Sequence, residues 1–364
     1  MRITLNTKQL QEKIELVSRV STKHATLPTL QCILLEVSES KLTLKSTNLE
    51  VGIEVVLDAE VEDGGVAAVP ASVLLQTVSL NNQERTTLQY EDGTLTVEAN
   101  GSETQIKCLA ADEFPTIPKV KGDGQKIQSS MFALGIKTAA FAASQSSIKP
   151  ELGSVYVYQN KEQSLTFVAT DSFRLVEKTV PQKGVILEEN ILLPHKNALE
   201  IARVCDLENS DPVLKVNDSQ LSLQFDSGVY ITSRLVSGSF PDYKQIIPKE
   251  YATKSTVLKE DLVHAFKKTN IFLNKFMQVG LHVTKKSVTV SASSGDVGAT
   301  TESVRAETEG EELTLNFNQR YLSEALNHFV DDSITMHLAG IGRPLVIKGV
   351  SDSSLRYLVM PMNK

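Results

Sequence analysis

Six histidines, three cysteines and several acidic clusters are the side chains with which this 364-residue chain could build a reactive centre. Their spacing builds none. His24, His195, His264, His282, His328 and His337 are scattered, with no HExxH and no His pair at metal-ligand spacing beside carboxylates. Cys32, Cys108 and Cys205 lie far apart without a CxxC pair, which reads as three buried free thiols. There is no GxSxG elbow, no GxGxxG and no Walker loop. GIGRP at 340–344 opens into a strand pattern and reads as a turn, not an anion cradle. NLEVGIE, LEEN and EGEE read as solvated loop and strand-edge charge. The expectation is a chain with no catalytic residue, no metal and no cofactor.

Basic side chains carry the one suggestive pattern. Lys8, Lys13, Arg19 and Lys23 lie in or just after a first amphipathic helix, Lys137 in a third, and Lys196 with Arg203 in a fourth. Lys259, Lys267, Lys268 and Lys275 sit in or near a fifth, and Arg320 in a sixth. Glu12, Glu15, Glu200, Glu260, Asp261 and Glu324 share those helices, so charge alone leaves ordinary amphipathic helices equally open. A net charge of −7 argues against a broad basic face but permits a local one. Six equivalent helices backed by sheets could line one concave surface and turn these cations toward phosphate.

The elements that must position them recur in phase. LTLKSTN, LTFVATD and VTVSASS begin at Leu42, Leu165 and Val288, each 123 residues after the last, and alternate like half-buried strands. Pro70, Pro194 and Asn318 fall 124 residues apart, each where a strand end meets a helix start. Each copy opens with a helix; in the first, Leu10, Ile14 and Val17 mark its apolar face. This predicts an α+β chain of three repeated domains, 1–120, 126–249 and 250–364, each made of two helix-plus-antiparallel-sheet halves. No apolar run approaches the roughly 18 residues of a membrane span, and the start MRITLNTKQL lacks the apolar stretch of a signal peptide, so a cytoplasmic protein is expected.

TLPTLQCILLEV at 26–37, FPTIP at 114–118, TDSFRL at 170–175, FPDYKQIIP at 240–248 and YLVMPMNK at 357–364 together carry a resemblance. At these spacings within a three-fold repeat, the chain resembles the bacterial DNA polymerase III β sliding clamp family from end to end. The resemblance implies three domains of the DNA clamp fold per subunit and a ring closed as a head-to-tail homodimer, with helices lining the hole and sheets outside. Duplex DNA would be a topological, non-sequence-specific partner. The side chains facing it would be Lys8, Lys13, Arg19, Lys23, His24, Lys137, Lys149, Lys196, Arg203 and Lys267.

The resemblance also implies a groove that takes a short peptide motif from the DNA polymerase III catalytic subunit, the clamp loader and repair polymerases. Matched residue by residue, it would use Leu152, Thr170, Ser172, Phe173, Arg174 and Leu175, then Pro241, Tyr243, Gln245 and Ile246. Pro344, Leu358, Met360, Pro361 and Met362 would complete it. Ile106 and Cys108 would face Ile271 and Phe272 of the neighbouring subunit. Ser172-Phe173 stands where many members carry Gly-His, Gln245 where a basic residue is frequent, and His24 where an Arg is. The alternative, a β-rich repeat enzyme, needs an acid–base or metal cluster for which the sequence offers no candidate. A repeat-built module binding carbohydrate or protein would call for exposed aromatic platforms, and only 5% of residues are aromatic, with no Trp.

Overall fold

A computed structural model describes residues 1–362 except 25, 100, 147 and 161–162; Asn363 and Lys364 of the YLVMPMNK segment lie outside the described residues. Six helices form at the expected places: α1 (Thr7–Ser18), α2 (Ala71–Ser79), α3 (Ser129–Ala140), α4 (His195–Leu207), α5 (Lys259–Thr269) and α6 (Gln319–Leu326). Pro70, Pro194 and Asn318 each immediately precede a helix. Asn318 Oδ1 accepts the Arg320 N–H at 3.0 Å, and Asn6 Oδ1 accepts that of Gln9 at 3.1 Å, so otherwise unpaired amides of the first turn are satisfied. Among the described residues no helix is long and apolar enough to cross a membrane.

The chain forms two compact units. One comprises Met1–Ala133 with Glu200–Leu235, the other Leu134–Leu199 with Val236–Lys364. This division groups the chain by shared sheets and so differs from a division by repeats. In the first unit, Val51–Asp58 of the first repeat pairs with Val229–Arg234 of the second inside an eight-stranded sheet. A five-stranded sheet, in the order Glu60–Asp63, Arg2–Asn6, Arg85–Glu91, Thr94–Ala99, Ser102–Lys107, completes that unit. Leu10, Ile14 and Val17 of α1 are fully buried, as are Leu74 and Val78 of α2. Gln11 ties the two helices by donating to the carbonyls of Val78 and Asn81 at 2.7 and 2.8 Å.

The second unit holds a twelve-stranded antiparallel sheet in which Arg174–Pro181 pairs with Leu355–Val359, again joining two repeats. Ser164–Thr170, expected as a half-buried strand, is buried along its whole length. Its polar positions are buried too: Thr166 bonds the Thr179 hydroxyl at 3.0 Å. Phe167 packs so closely under α3 that a Cβ on Gly135 would lie 2.4 Å from its ring, which explains a glycine inside that helix. The thiols correct one expectation. Cys32 and Cys205 are buried, but Cys108 is only half-buried. Burial, and then the neighbouring Cys108, push the Cys32 thiol up to about 12.

Candidate functional site

The site begins at a tight turn. Between Ser164–Thr170 and Arg174–Pro181, Asp171 Oδ1 accepts the backbone N–H groups of Phe173 and Arg174, both at 3.0 Å. Thr170 Oγ1 donates to the Arg174 carbonyl at 2.6 Å and accepts the Ser172 N–H at 3.1 Å. These bonds hold Ser172 at φ 77°, in the left-handed region that favours glycine, and leave Phe173 61% exposed.

Beside the turn, strand alternation puts Leu175 and Leu358 opposite one another on one sheet face. With Val168, Val346 and Tyr243 they form a buried apolar cluster, edged by Tyr156, Tyr158, Phe240, Ile247 and Tyr251. Around it, Ser172, Phe173, Pro241, Gln245, Ile246 and Met360 are exposed, while Pro344, Pro361 and Met362 are half-buried. One turn of 3-10 helix, Tyr243–Ile246, buries Tyr243 and leaves Ile246 outside. Gln245 donates its amide to Asp242 at 2.8 Å. The tail is anchored by its backbone: Met360 N–H donates to the Phe173 carbonyl at 2.8 Å and Met362 N–H to that of Asn316 at 2.7 Å. Leu358 is therefore core, while Met360, Pro361 and Met362 run on past the paired strand.

Two expected groove residues are buried and are not part of that apolar cluster. Arg174 alternates with Leu175 and so points to the opposite sheet face. Its side chain is 8% exposed. Nε donates to Asp171 at 3.0 Å, Nη1 to Glu324 and Nη2 to the Phe141 carbonyl at 2.8 Å, and the guanidinium lies 4.4 Å from the centre of the Tyr321 ring. Arg174 thus positions the turn. Burial works to raise the Glu324 carboxyl, but hydrogen bonds from Arg174 and Arg320 hold it below its usual value. Leu152 is buried and lies outside the Leu175–Leu358 cluster.

The aromatic edge was not anticipated. Tyr156 and Tyr158, two apart on Ser154–Asn160, share one face, which their spacing could have shown. Tyr158 and Tyr243 hydroxyls lie 2.9 Å apart, and Tyr243 donates to Glu177. Burial, then the bond to Glu177, raises the Tyr243 phenol. Arg356 Nη1 pairs with Glu177 at 3.0 Å, so that carboxylate carries a cation as well as the Tyr243 hydroxyl, while Arg356 Nε is buried without a hydrogen-bond partner.

Of the expected DNA-facing side chains, Lys8, Arg19, Lys23 and His24 are exposed in the first unit, and Lys137, Lys149, Lys196 and Lys267 in the second. Lys13 and Arg203 differ. Lys13 pairs with Glu208 at 2.7 Å; Arg203 donates to Glu200 at 2.9 Å and to the Leu16 carbonyl at 3.0 Å. Both cations are already neutralised within their own unit. His24 Nδ1 accepts the Leu27 N–H at 3.2 Å.

At the expected subunit contact, Ile271 is 66% exposed and Phe272 half-buried. Ile106 is only 3% exposed within its own unit. What its strand Ser102–Lys107 presents is a backbone edge, since it ends the five-stranded sheet. The third repeat also carries a strand edge. In Gly298–Gly310, positions 298–305 pair only with Ser287–Ser294, and the pairing with Thr253–Leu258 begins at Ala306.

Comparison with known proteins follows the three repeats. Models described as the DNA polymerase III beta subunit N-terminal, central and C-terminal domains match residues 1–118, 126–242 and 244–363. The beta sliding clamp of Synechococcus elongatus is 28% identical over 372 residues, covering 100% of this chain and 99% of that one. The crystal structure of the DNA polymerase III beta subunit from Thermotoga maritima superposes with a TM-score of 0.93 at 26% identity, covering 100% of this chain and 99% of that chain. A sliding clamp from Pseudomonas aeruginosa bound to griselimycin does so with a TM-score of 0.93 at 25% identity, covering 100% of both.

Proposed function

We propose a residue-level account of how this chain, which belongs to the DNA polymerase III beta-subunit family of sliding clamps, does that family's work. It is a processivity clamp, an accessory subunit of the polymerase and not an enzyme. Two copies close head to tail into a ring around duplex DNA. The edge of Ser102–Lys107 in one copy adds to the 298–305 edge of the other, and Ile271 and Phe272 pack at that seam. Pairing the two edges removes surfaces that would otherwise template aggregation.

Retention is topological. Lys8, Arg19, Lys23, Lys137, Lys149, Lys196 and Lys267 contact phosphate weakly and without reading bases, so the ring slides. The polymerase, the clamp loader and repair polymerases dock a short extended peptide in the groove. One observation carries this reading: an apolar floor of Leu175 and Leu358 lies beneath exposed Phe173, Ile246 and Met360, a surface that adapts to varied apolar side chains. The three domains follow the repeats, with boundaries near 120–126 and 249–250.

Retention on DNA tests the mechanism. Loaded protein is expected to stay on a nicked circle and to run off once that circle is linearised. Equal retention on both forms would overturn it, as would a solution mass of one 39.9 kDa chain in place of two.

A further inference from the structure

The junction between the first and second repeats copies the backbone plan of the groove with different side chains. Thr47 Oγ1 donates to the Val51 carbonyl at 2.9 Å and accepts the Leu49 N–H at 3.0 Å. Asn48 Oδ1 accepts the N–H groups of Glu50 and Val51 at 3.0 and 2.8 Å. Leu49 sits at φ 74°, as Ser172 sits at 77°. Even the strand exits agree: Arg234 N–H donates to the Glu50 carbonyl at 2.8 Å, as Met360 N–H does to that of Phe173.

Register then assigns each position a counterpart. Gly52 faces Thr232 where Leu175 faces Leu358. Arg234 takes the place of Met360, Gln220 that of Pro344 and Glu50 that of Phe173. Ile117, at the position of Tyr243, packs against Gly52 so tightly that a Cβ there would lie 2.7 Å from its Cγ2. Above this filled floor a cleft of about 290 Å³ stays open, lined by Arg234, Gln220, Thr232, Thr116 and Glu50 among others. Among the described residues, Arg234 is exposed and has no carboxylate within ion-pairing distance.

We propose that this cleft is a second peptide site, for a polar extended segment that sets a carboxylate side chain against Arg234 and a basic one against Glu50. That the occupant is a peptide rests on the groove reading above; its charge rests on this cleft alone. Arg234 with Gln220 supplies hydrogen-bond donors for a carboxylate. Glu50, next to Arg234 on the neighbouring strand, repels a second acidic residue and favours Lys or Arg. Gly52 and Thr232 give the cleft less apolar floor than the two leucines give the groove, although Leu49, Val51 and Pro118 also line it.

The full-length protein labelled at isoleucine methyl groups tests this, because Ile117 reports the cleft and Ile246 the groove. Titration with the blocked peptide acetyl-Lys-Ser-Ser-Glu-amide is expected to shift Ile117 saturably and leave Ile246 unmoved. Arg234→Met should weaken that binding by about tenfold or more, the expected cost of losing a charge-assisted contact. No saturable shift at Ile117, or a shift unchanged in Arg234→Met, would overturn the proposal. A peptide rich in Gln, Leu and Phe in the same sample reports the groove separately. If Ile117 answers its peptide and Ile246 does not, the groove reading fails and this one stands.

Discussion

The two inter-repeat junctions share a turn, a strand pairing and a backbone bond from the exiting strand, yet differ in the side chains of their floor and rim. At the second junction Leu175 and Leu358 form a floor edged by tyrosines. At the first, Gly52 opposite Thr232 lets the chain's own Ile117 fill that space. The turns are also held differently. Behind the second, Arg174 is tied to Asp171 and Glu324; at the matching position of the first, Val51 is simply buried. A repeated backbone thus sets where a site can form, and a few side chains decide what it takes and how firmly its rim is held.

The largest expected effect comes from removing the side of the groove that the first junction replaces with Arg234. Deleting residues 360–364 should abolish binding of partner peptides, measured by fluorescence anisotropy, while light scattering still reports a dimer. Undiminished binding would place the peptide site elsewhere. Next, Arg174→Ala should cost about 3–5 kcal/mol, because Asp171 and Glu324 lose the cation that compensates them. Val51→Ala at the matching position should cost only about 2 kcal/mol for its lost methyl groups. Urea unfolding measures both, and equal costs would remove the distinction between a charge-held and a packed turn.

Relieving the left-handed residues is a smaller perturbation. Strain of about 1–3 kcal/mol at such positions is partly offset by the extra chain entropy of glycine, so Ser172→Gly and Leu49→Gly should each stabilise by about 1 kcal/mol or less. Destabilisation by either would show that its side chain contributes more than its backbone strain costs.

A separate contrast concerns pH. His337 packs on Tyr251 at the edge of the groove cluster, and none of the residues lining the first-junction cleft is a histidine. Burial, with Lys348 and Lys254 nearby, lowers His337 from 6.5 to about 4. The folded chain therefore binds fewer protons than the unfolded one between those values. Its contribution is complete above about pH 6.5 and is lost as pH falls toward 4. His337→Gln should lose less stability between pH 7 and pH 5 than the parent, as read by thermal melts. An identical loss would assign the acid sensitivity to other groups.

Local pattern carried much of this. Leu10, Ile14 and Val17 announced α1 because helical spacing is a property of neighbours in sequence, and Asn318 announced the start of α6 for the same reason. The sequence could not show that Lys13 is ion-paired, because its partner Glu208 lies 195 positions away. Arg174 was placed in the groove through its neighbours in TDSFRL, whereas Glu324, 150 positions on, helps hold it on the far face.

By itself, then, the sequence determined the six helices, the three-fold repeat, the family and the apolar character of the tail, since each is written in short-range periodicity or in motifs at fixed spacing. Only the tertiary structure decided which strands of different repeats pair and which face each side chain takes. It alone revealed that Leu175–Leu358 and Gly52–Thr232 hold equivalent places. Those facts depend on register between segments more than a hundred residues apart, and a shift of one residue would reverse every face.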